Sequence, residues 1–260
     1  MYPVLFKFGP FAIHAYGFFI ALAFLAGILV SLYYAKREGI GSQTIFDLAI
    51  YVIISGLVGA RLSYVFGQWE YFRGNPAEIF MAQKGGLVFL GGFLLALLVT
   101  VVYVKVKNMP RLKLFDALAP GVALGYAIAR IGCFLNGCCF GLPAGQAGLP
   151  AKFSWGLIFP SGSLAGAYFP GQALHPTQLY SMTLMFLAFL ALVFLYRAKK
   201  FDGQIFFWWL ILYSAYRFLI EFLRFSPIHW LGLTPSQWLV ILTFALGLWG
   251  LTFYKKRPGA

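Results

Sequence analysis

Residues 203–224 read GQIFFWWLILYSAYRFLIEFLR. The run is apolar for about the 20 residues that a helix needs to cross a bilayer, yet it carries Arg217, Glu221 and Arg224. With Tyr213, these residues stand at spacings that put all four on one helical face. An arginine near the bilayer centre costs about 2.5–3.5 kcal/mol on insertion scales. Glu221 is placed to pair with both arginines, which lowers that cost but leaves the face positive. A surplus positive charge inside a membrane calls for an anion. The planar guanidinium fork suits phosphate, whose oxygens it binds two at a time.

The rest of the chain repeats the apolar pattern. Of 260 residues, 61% are hydrophobic and only 10% charged, against about 25% in a soluble globular protein. Too little polar surface remains to face water. Seven spans are expected, near 16–36, 44–67, 86–106, 115–135, 177–197, 203–224 and 235–254. Gly85-Gly86 and Gly91-Gly92 are expected to let helices approach closely. Basic residues outnumber acidic ones 20 to 7. They cluster at the ends of the apolar runs, as topology signals do, so nucleic acid is not the expected partner. One set of loops holds Lys36, Arg37, Lys105, Lys107, Arg111, Lys113, Arg197, Lys199, Lys200, Lys255, Lys256 and Arg257. The other holds only Lys7, Arg73, Lys84 and Lys152. The positive-inside rule then puts the N-terminus outside and the C-terminus in the cytoplasm. The expected architecture is an all-α polytopic membrane protein, with residues 1–260 forming a single membrane-embedded domain. The N-terminus shows no cleavable signal peptide, so the first span is retained. A connection at about 137–176, rich in Gly and Pro, reads as a small extracytoplasmic cap between spans four and five. Its aromatics Phe153, Trp155, Phe159, Tyr168 and Phe169 favour an ordered, interfacial segment.

Arg61 and Arg130 complete the basic residues that lie within or at the edges of spans. Arg130 opens the stretch RIGCFLNGCCFG, in which a charged span runs into turn-prone sequence. Gly137 and Gly141 permit turns and close approach, and Asn136 offers both donor and acceptor. Gly137 also suits a simple helix C-cap. Cys133, Cys138 and Cys139 form no disulfide framework, and their spacing lacks the His or second Cys pair of a structural zinc site. The run HPTQLY at 175–180 precedes the fifth span. Thr177 reads as its N-cap, and His175 as a surface residue. His14-Ala15-Tyr16-Gly17 opens the first span, where a tyrosine commonly belongs to the interfacial belt.

Together these stretches resemble the bacterial prolipoprotein diacylglyceryl transferase family, in order along nearly the whole chain: His14–Gly17, Gly59–Tyr64, Gly85–Leu87 with Gly91-Gly92, Arg130–Gly141, His175–Tyr180 and Tyr213–Arg224. The resemblance implies a transferase in the bacterial cytoplasmic (inner) membrane. Phosphatidylglycerol would give its diacylglyceryl group to the lipobox cysteine of a prolipoprotein, forming a thioether and releasing glycerol phosphate. Arg130 and Arg217 are the expected catalytic residues, with Tyr213 and Glu221. Tyr16, Asn136, Gly141, Arg224, Arg61, His175 and His14 are expected around the lipid. The resemblance implies no metal and no cofactor.

The chain departs from the family pattern at three positions. Leu90 stands where many members carry a histidine, a candidate base for the thiol. Cys133 replaces a common Asn, and Cys138 a common Glu. Proton removal could fall to His14, Tyr213 or Glu221, or need no dedicated base, because a free thiol is a few per cent ionised at neutral pH. Alternatively the enzyme is slower, or the chain is a non-catalytic paralogue that binds or translocates anionic phospholipid. An intramembrane protease fits less well, since no Gly-x-Ser-x-Gly elbow occurs.

Overall fold

A computed structural model of the chain describes residues 2–9, 11–81, 85–146, 155–226 and 229–255. Lys84, Lys152, Phe153, Lys256 and Arg257, used above, lie outside the described residues. In chain order the elements are β1 (Val4–Phe8), β2 (Phe11–His14), α1 (Ala15–Arg37), α2 (Ser42–Gly67), α3 (Trp69–Gly74), a 3-10 turn (Pro76–Phe80), α4 (Phe89–Val106) and α5 (Arg111–Asn136). There follow β3 (Leu157–Ile158), α6 (Leu164–Tyr168), β4 (Ala173–Leu174), α7 (Thr177–Arg197), α8 (Gln204–Glu221) and α9 (Pro235–Lys255).

Six of these helices, α1, α2, α4, α5, α7 and α9, are long and apolar enough to cross a membrane. The protein is therefore helical and multi-pass. The α8 helix has the same 18-residue length as α4 but is not among the six, because Arg217 and Glu221 interrupt its apolar run. It also ends at Glu221, so Arg224 lies beyond the helix and not on its face as expected. The third span begins at Phe89, three residues later than expected, because Gly85 and Gly86 have left-handed φ values of +90° and +79°. The α5 helix continues through Pro120 without a break; membrane helices tolerate proline where neighbours satisfy the freed backbone. The antiparallel hairpin β1–β2 ahead of α1 was not foreseen.

The chain forms two compact units, Ala35–Leu114 and Met1–Tyr34 with Phe115–Ala260. In the first, α2 packs on α4 through glycines. A Cβ at Gly59 would lie 2.5 Å from the Gly91 carbonyl oxygen, and one at Gly92 2.6 Å from that of Gly56. Without a side chain between them the two backbones gain dispersion contact, the main source of helix association in lipid. Gly91 and Gly92 thus serve the close approach expected of them. Arg61 in α2 donates from Nε to the Ile79 carbonyl at 2.8 Å and from Nη2 to that of Glu78 at 2.5 Å. Its Nη1 donates to the Gly85 and Gly86 carbonyls at 2.7 and 3.2 Å. The cation lies over the rings of Phe72 and Tyr64. One guanidinium thereby fixes the connection between α2 and α4.

In the second unit, α1 meets α5 along small residues, with Gly121 against the Gly27 carbonyl and Gly125 against that of Ala23. Buried Asp116 in α5 anchors the start of α8, accepting from the backbone N–H groups of Gly203 at 2.8 Å and Phe206 at 2.9 Å. Lys199 balances it at 2.9 Å. A carboxylate at a helix N-terminus satisfies orphan donors and complements the helix dipole. Gly247 and Gly250 of α9 leave room for Ile211 and Phe207 of α8. In the cap, Phe140, Phe159, Ala165 and Leu174 form a small buried core, with Phe134, Leu157 and Phe169 packed against it.

Gly59→Leu should destabilise the protein by about 1–3 kcal/mol, the usual cost of overpacking. Gly56→Ala, whose own Cβ meets nothing, should stay within about 1 kcal/mol of wild type. Thermal unfolding in detergent compares them; equal melting temperatures for the two variants would refute the close backbone contact.

Candidate functional site

The C-terminus of α5 ends in a hydrogen-bonded reversal. The Gly137 N–H donates to the Phe134 carbonyl and the Cys138 N–H to the Cys133 carbonyl, both at 3.1 Å. Gly137 has φ +71°. This is a Schellman motif with glycine in the left-handed position, which costs glycine no Cβ clash. Cys139 follows with φ +59°, a region that non-glycine residues enter only at some cost.

That conformation is held from α7. Thr177 Oγ1 donates to the Cys139 carbonyl and Gln178 Nε2 to the Cys138 carbonyl, each at 2.8 Å. Both residues are buried. Thr177 therefore is not the expected N-cap: Pro176 occupies that place and no side chain caps α7. Its hydroxyl instead serves a loop carbonyl that would otherwise be unpaired. His175 is not on the surface as expected, being only 2% exposed. The Gly141 N–H donates to its carbonyl at 2.9 Å, its own N–H donates to the Leu142 carbonyl at 3.0 Å, and the Leu142 N–H donates to the Leu223 carbonyl at 2.8 Å. Gly141 also pairs with Arg224 in an antiparallel bridge. A Cβ there would lie 2.5 Å from the Leu223 carbonyl oxygen and 2.7 Å from that of His175. The Arg130–Gly141, His175–Tyr180 and Tyr213–Arg224 stretches thus meet around one glycine. Burial holds the His175 imidazole below its ordinary pKa.

On α8, Arg217 Nη1 lies 2.7 Å from Glu221 Oε2, and its Nη2 donates to Ser236 Oγ at 3.1 Å. Arg224 approaches the same carboxylate oxygen at 3.9 Å, while Thr234 donates to Glu221 Oε1 at 3.1 Å. Glu221 thus faces both arginines, as its spacing suggested. Arg130 has different company. It donates to the Tyr126 hydroxyl and lies over that ring, 4.5 Å from its centre. Its Nη1 points to Cys133 Sγ at 3.9 Å. Among the described residues no carboxylate comes within ion-pair distance of Arg130. Tyr126 shares a 2.7 Å hydrogen bond with Tyr216 and packs edge-on against Tyr213. The Tyr213 hydroxyl lies within electrostatic reach of Arg217, Arg130 and Arg224, and that of Tyr16 within reach of the three thiols and Arg130.

Of the residues singled out in the sequence, Tyr16, Arg130, Asn136, Gly141, His175, Tyr213, Arg217, Glu221 and Arg224 all belong to this unit. His14 sits exposed on β2. Arg61 belongs to the other unit, where carbonyls occupy its donors. Leu90 lies there too, 61% exposed on α4. Tyr126 was missed, although it stands four residues before Arg130 and so on the same helical face. The three cysteines are free, and their Sγ atoms lie within 4.8 Å of one another, a grouping that their linear spacing did not suggest. The neighbouring thiols, and after them Arg130 and Arg224, pull the Cys139 thiol below its ordinary pKa.

The model of one protein family, described as prolipoprotein diacylglyceryl transferase, matches residues 3–253. The chain is 35% identical to the phosphatidylglycerol–prolipoprotein diacylglyceryl transferase of Finegoldia magna, over 93% of this chain and 91% of that protein. It is 34% identical to the protein of that name from Clostridium tetani, over 99% of both chains. With that of Bordetella avium it shares 35% identity over 95% of this chain and 92% of the relative.

Thr177→Val should leave the Cys139 carbonyl unpaired and cost about 1–3 kcal/mol. The melting temperature should fall, and Cys139 should react faster with maleimide. A variant as stable and as slow to react as wild type would refute the clamp.

Proposed function

Since the chain belongs to the prolipoprotein diacylglyceryl transferase family, we propose that Arg130 and Arg217 hold the phosphate of phosphatidylglycerol during its reaction. The diacylglyceryl group passes to the lipobox cysteine of a prolipoprotein, the first step of lipoprotein maturation. A sulfur–carbon bond forms, the carbon–oxygen bond to phosphate breaks, and glycerol phosphate leaves with the electron pair. Negative charge therefore grows on the leaving phosphate, and preorganised cations lower the barrier where charge develops.

The observation that carries this reading is the unequal pairing of the arginines. Glu221 serves Arg217 and Arg224, whereas Arg130 meets, among the described residues, a tyrosine hydroxyl, a ring and a thiol but no carboxylate. A guanidinium so placed in a membrane protein is poorly compensated, and an anionic headgroup supplies what is missing. In this reading Tyr16, Asn136 and Tyr213 border the headgroup, Arg224 assists, and Gly141 gives the loop its close approach to the bridge at Arg224. Buried His175 and exposed His14 keep secondary places around the substrates. Arg61 fixes the connection between α2 and α4.

The thiol needs no dedicated base in this reading. A cysteine is a few per cent thiolate at neutral pH, and guanidinium charge raises that fraction. Transfer should then speed up with rising pH towards the thiol pKa, about 8.5, because the thiolate is the nucleophile. The chain crosses the inner membrane seven times, α8 crossing between α7 and α9 in addition to the six helices named above. The polar face of α8 turns from lipid, and the N-terminus of the chain lies outside and its C-terminus in the cytoplasm. The described residues of the cap, 137–146 and 155–176, lie on the outer surface.

The purified protein, given phosphatidylglycerol and a lipobox peptide, should yield diacylglyceryl-peptide. Arg130→Ala and Arg217→Ala should each lower turnover at least about a hundredfold, as loss of an oxyanion-stabilising group does, while remaining inserted. Full activity in either variant would remove that arginine from the phosphate clamp. Leu90→His should change the rate little; a gain of about 10²-fold or more, the usual worth of a general base, would show that proton removal limits this chain. In cells, a reporter fused after Lys255 should be active only if it is of the cytoplasmic kind; the opposite result would reverse the orientation.

A further inference from the structure

The transfer reaction makes no use of the three thiols of Cys133, Cys138 and Cys139. Small-residue packing accounts for two of them: Cys133 and Cys138 stand at the positions of a Schellman motif whose side chains ordinarily touch. It does not account for Cys139. That residue takes a left-handed conformation, with its carbonyl tied to Thr177 and that of its neighbour to Gln178, and all three Sγ atoms fall within 4.8 Å of one another.

From this geometry we infer that Cys133, Cys138 and Cys139 form a three-thiolate site for a soft monovalent ion, Cu(I). Metal–sulfur bonds of about 2.3 Å in a trigonal arrangement put the sulfurs about 4 Å apart. The thiols therefore close by less than about 1 Å to take the ion. Soft thiolates select Cu(I), zinc and iron–sulfur clusters. Zinc favours four ligands, and among the described residues no His, Asp, Glu or further Cys joins the group. A three-coordinate ion fits the set as it stands. Three S–H bonds give their protons to water, three sulfur–copper bonds form, and no electron is transferred. The bound group carries a net charge of minus two. Arg130, with Nη1 3.9 Å from Cys133 Sγ, offers it a counter-charge, and Arg224 also bears on Cys139. Asn136 lies within hydrogen-bond reach of Cys138 and steadies that sulfur.

Occupation has a consequence that rests on the phosphate role given to Arg130. An anionic copper–thiolate group beside that guanidinium competes with the lipid phosphate, so Cu(I) suppresses transfer.

The test uses the full chain in detergent with Cu(I) kept reduced by ascorbate under argon, titrated against a chromogenic Cu(I) chelator. One equivalent should bind, and it should protect all three thiols from maleimide by at least tenfold in rate. Cys139→Ser should weaken binding at least tenfold. Unchanged alkylation of the wild-type thiols at one equivalent of Cu(I) would overturn the site, whatever the variants do. So would equal binding by a folded triple serine variant, or zinc binding that displaces Cu(I). Transfer is assayed in parallel and should fall with copper occupancy. Copper binding with undiminished transfer would leave the metal site standing and overturn the competition at Arg130. Copper-free protein inactive in transfer would count against the phosphate reading alone.

Discussion

An arginine placed among lipid chains has no water to accept from its N–H groups, so each must find an acceptor on the protein or on a bound molecule. Much of this structure follows from how four arginines meet that demand. Arg61 meets it with carbonyls of a single connection and becomes a structural pin. Arg217 meets it with Glu221 and Ser236, and Arg224 leans on the same carboxylate. Arg224 reaches that carboxylate only at 3.9 Å and its buried Nε finds no acceptor among the described residues, while Arg130 donates to a phenol and points to a thiol, with no carboxylate in ion-pair distance among the described residues. Arg130 thus differs from Arg217 and Arg224 in lacking a carboxylate among the described residues, and a guanidinium without an ion pair has none to break before it meets an anion.

The surroundings of Arg130 are correspondingly rigid. Its helix ends in a glycine reversal whose next two carbonyls are held by Thr177 and Gln178. The same loop continues to Gly141, which admits the backbones of residues 175 and 223 at distances that no side chain would allow. Asp116, at the far end of α5, holds the first turn of α8. Two helices that carry the arginines are therefore tied to each other by hydrogen bonds at one end and, through Gly141 and Arg224, by a backbone bridge at the other. Side chains carried on helices tied in this way are held in a defined geometry, the kind of positioning from which catalysis gains.

Several features of the site were legible in the sequence because they depend on local spacing. The facing of Arg217 and Glu221 needs only helical periodicity, and so does the neglected partnership of Tyr126 with Arg130. The end of α5 at Gly137 was readable from glycine's conformational freedom. Other features were not legible, because they depend on what a residue meets across the fold. Thr177 has the look of an N-cap, yet its hydroxyl finds the Cys139 carbonyl first. His175 looks exposed beside a proline, yet a two-sided backbone pairing buries it. The thiols of Cys133, Cys138 and Cys139 are too irregularly spaced to suggest a cluster, and only the turn at Cys139 gathers them.

By itself the sequence determined that this is a multi-pass helical membrane protein, because shortage of charge and the length of apolar runs fix the solvent and the helix length without reference to any contact. Its ordered motifs likewise carried the family. The tertiary structure decided how the charges are shared out: which arginines face Glu221, which meets carbonyls and which meets a phenol and a thiol. That division rests on distances between segments far apart in the chain. Electrostatic and hydrogen-bond energies change steeply over those few ångströms, and helical periodicity carries no information about them.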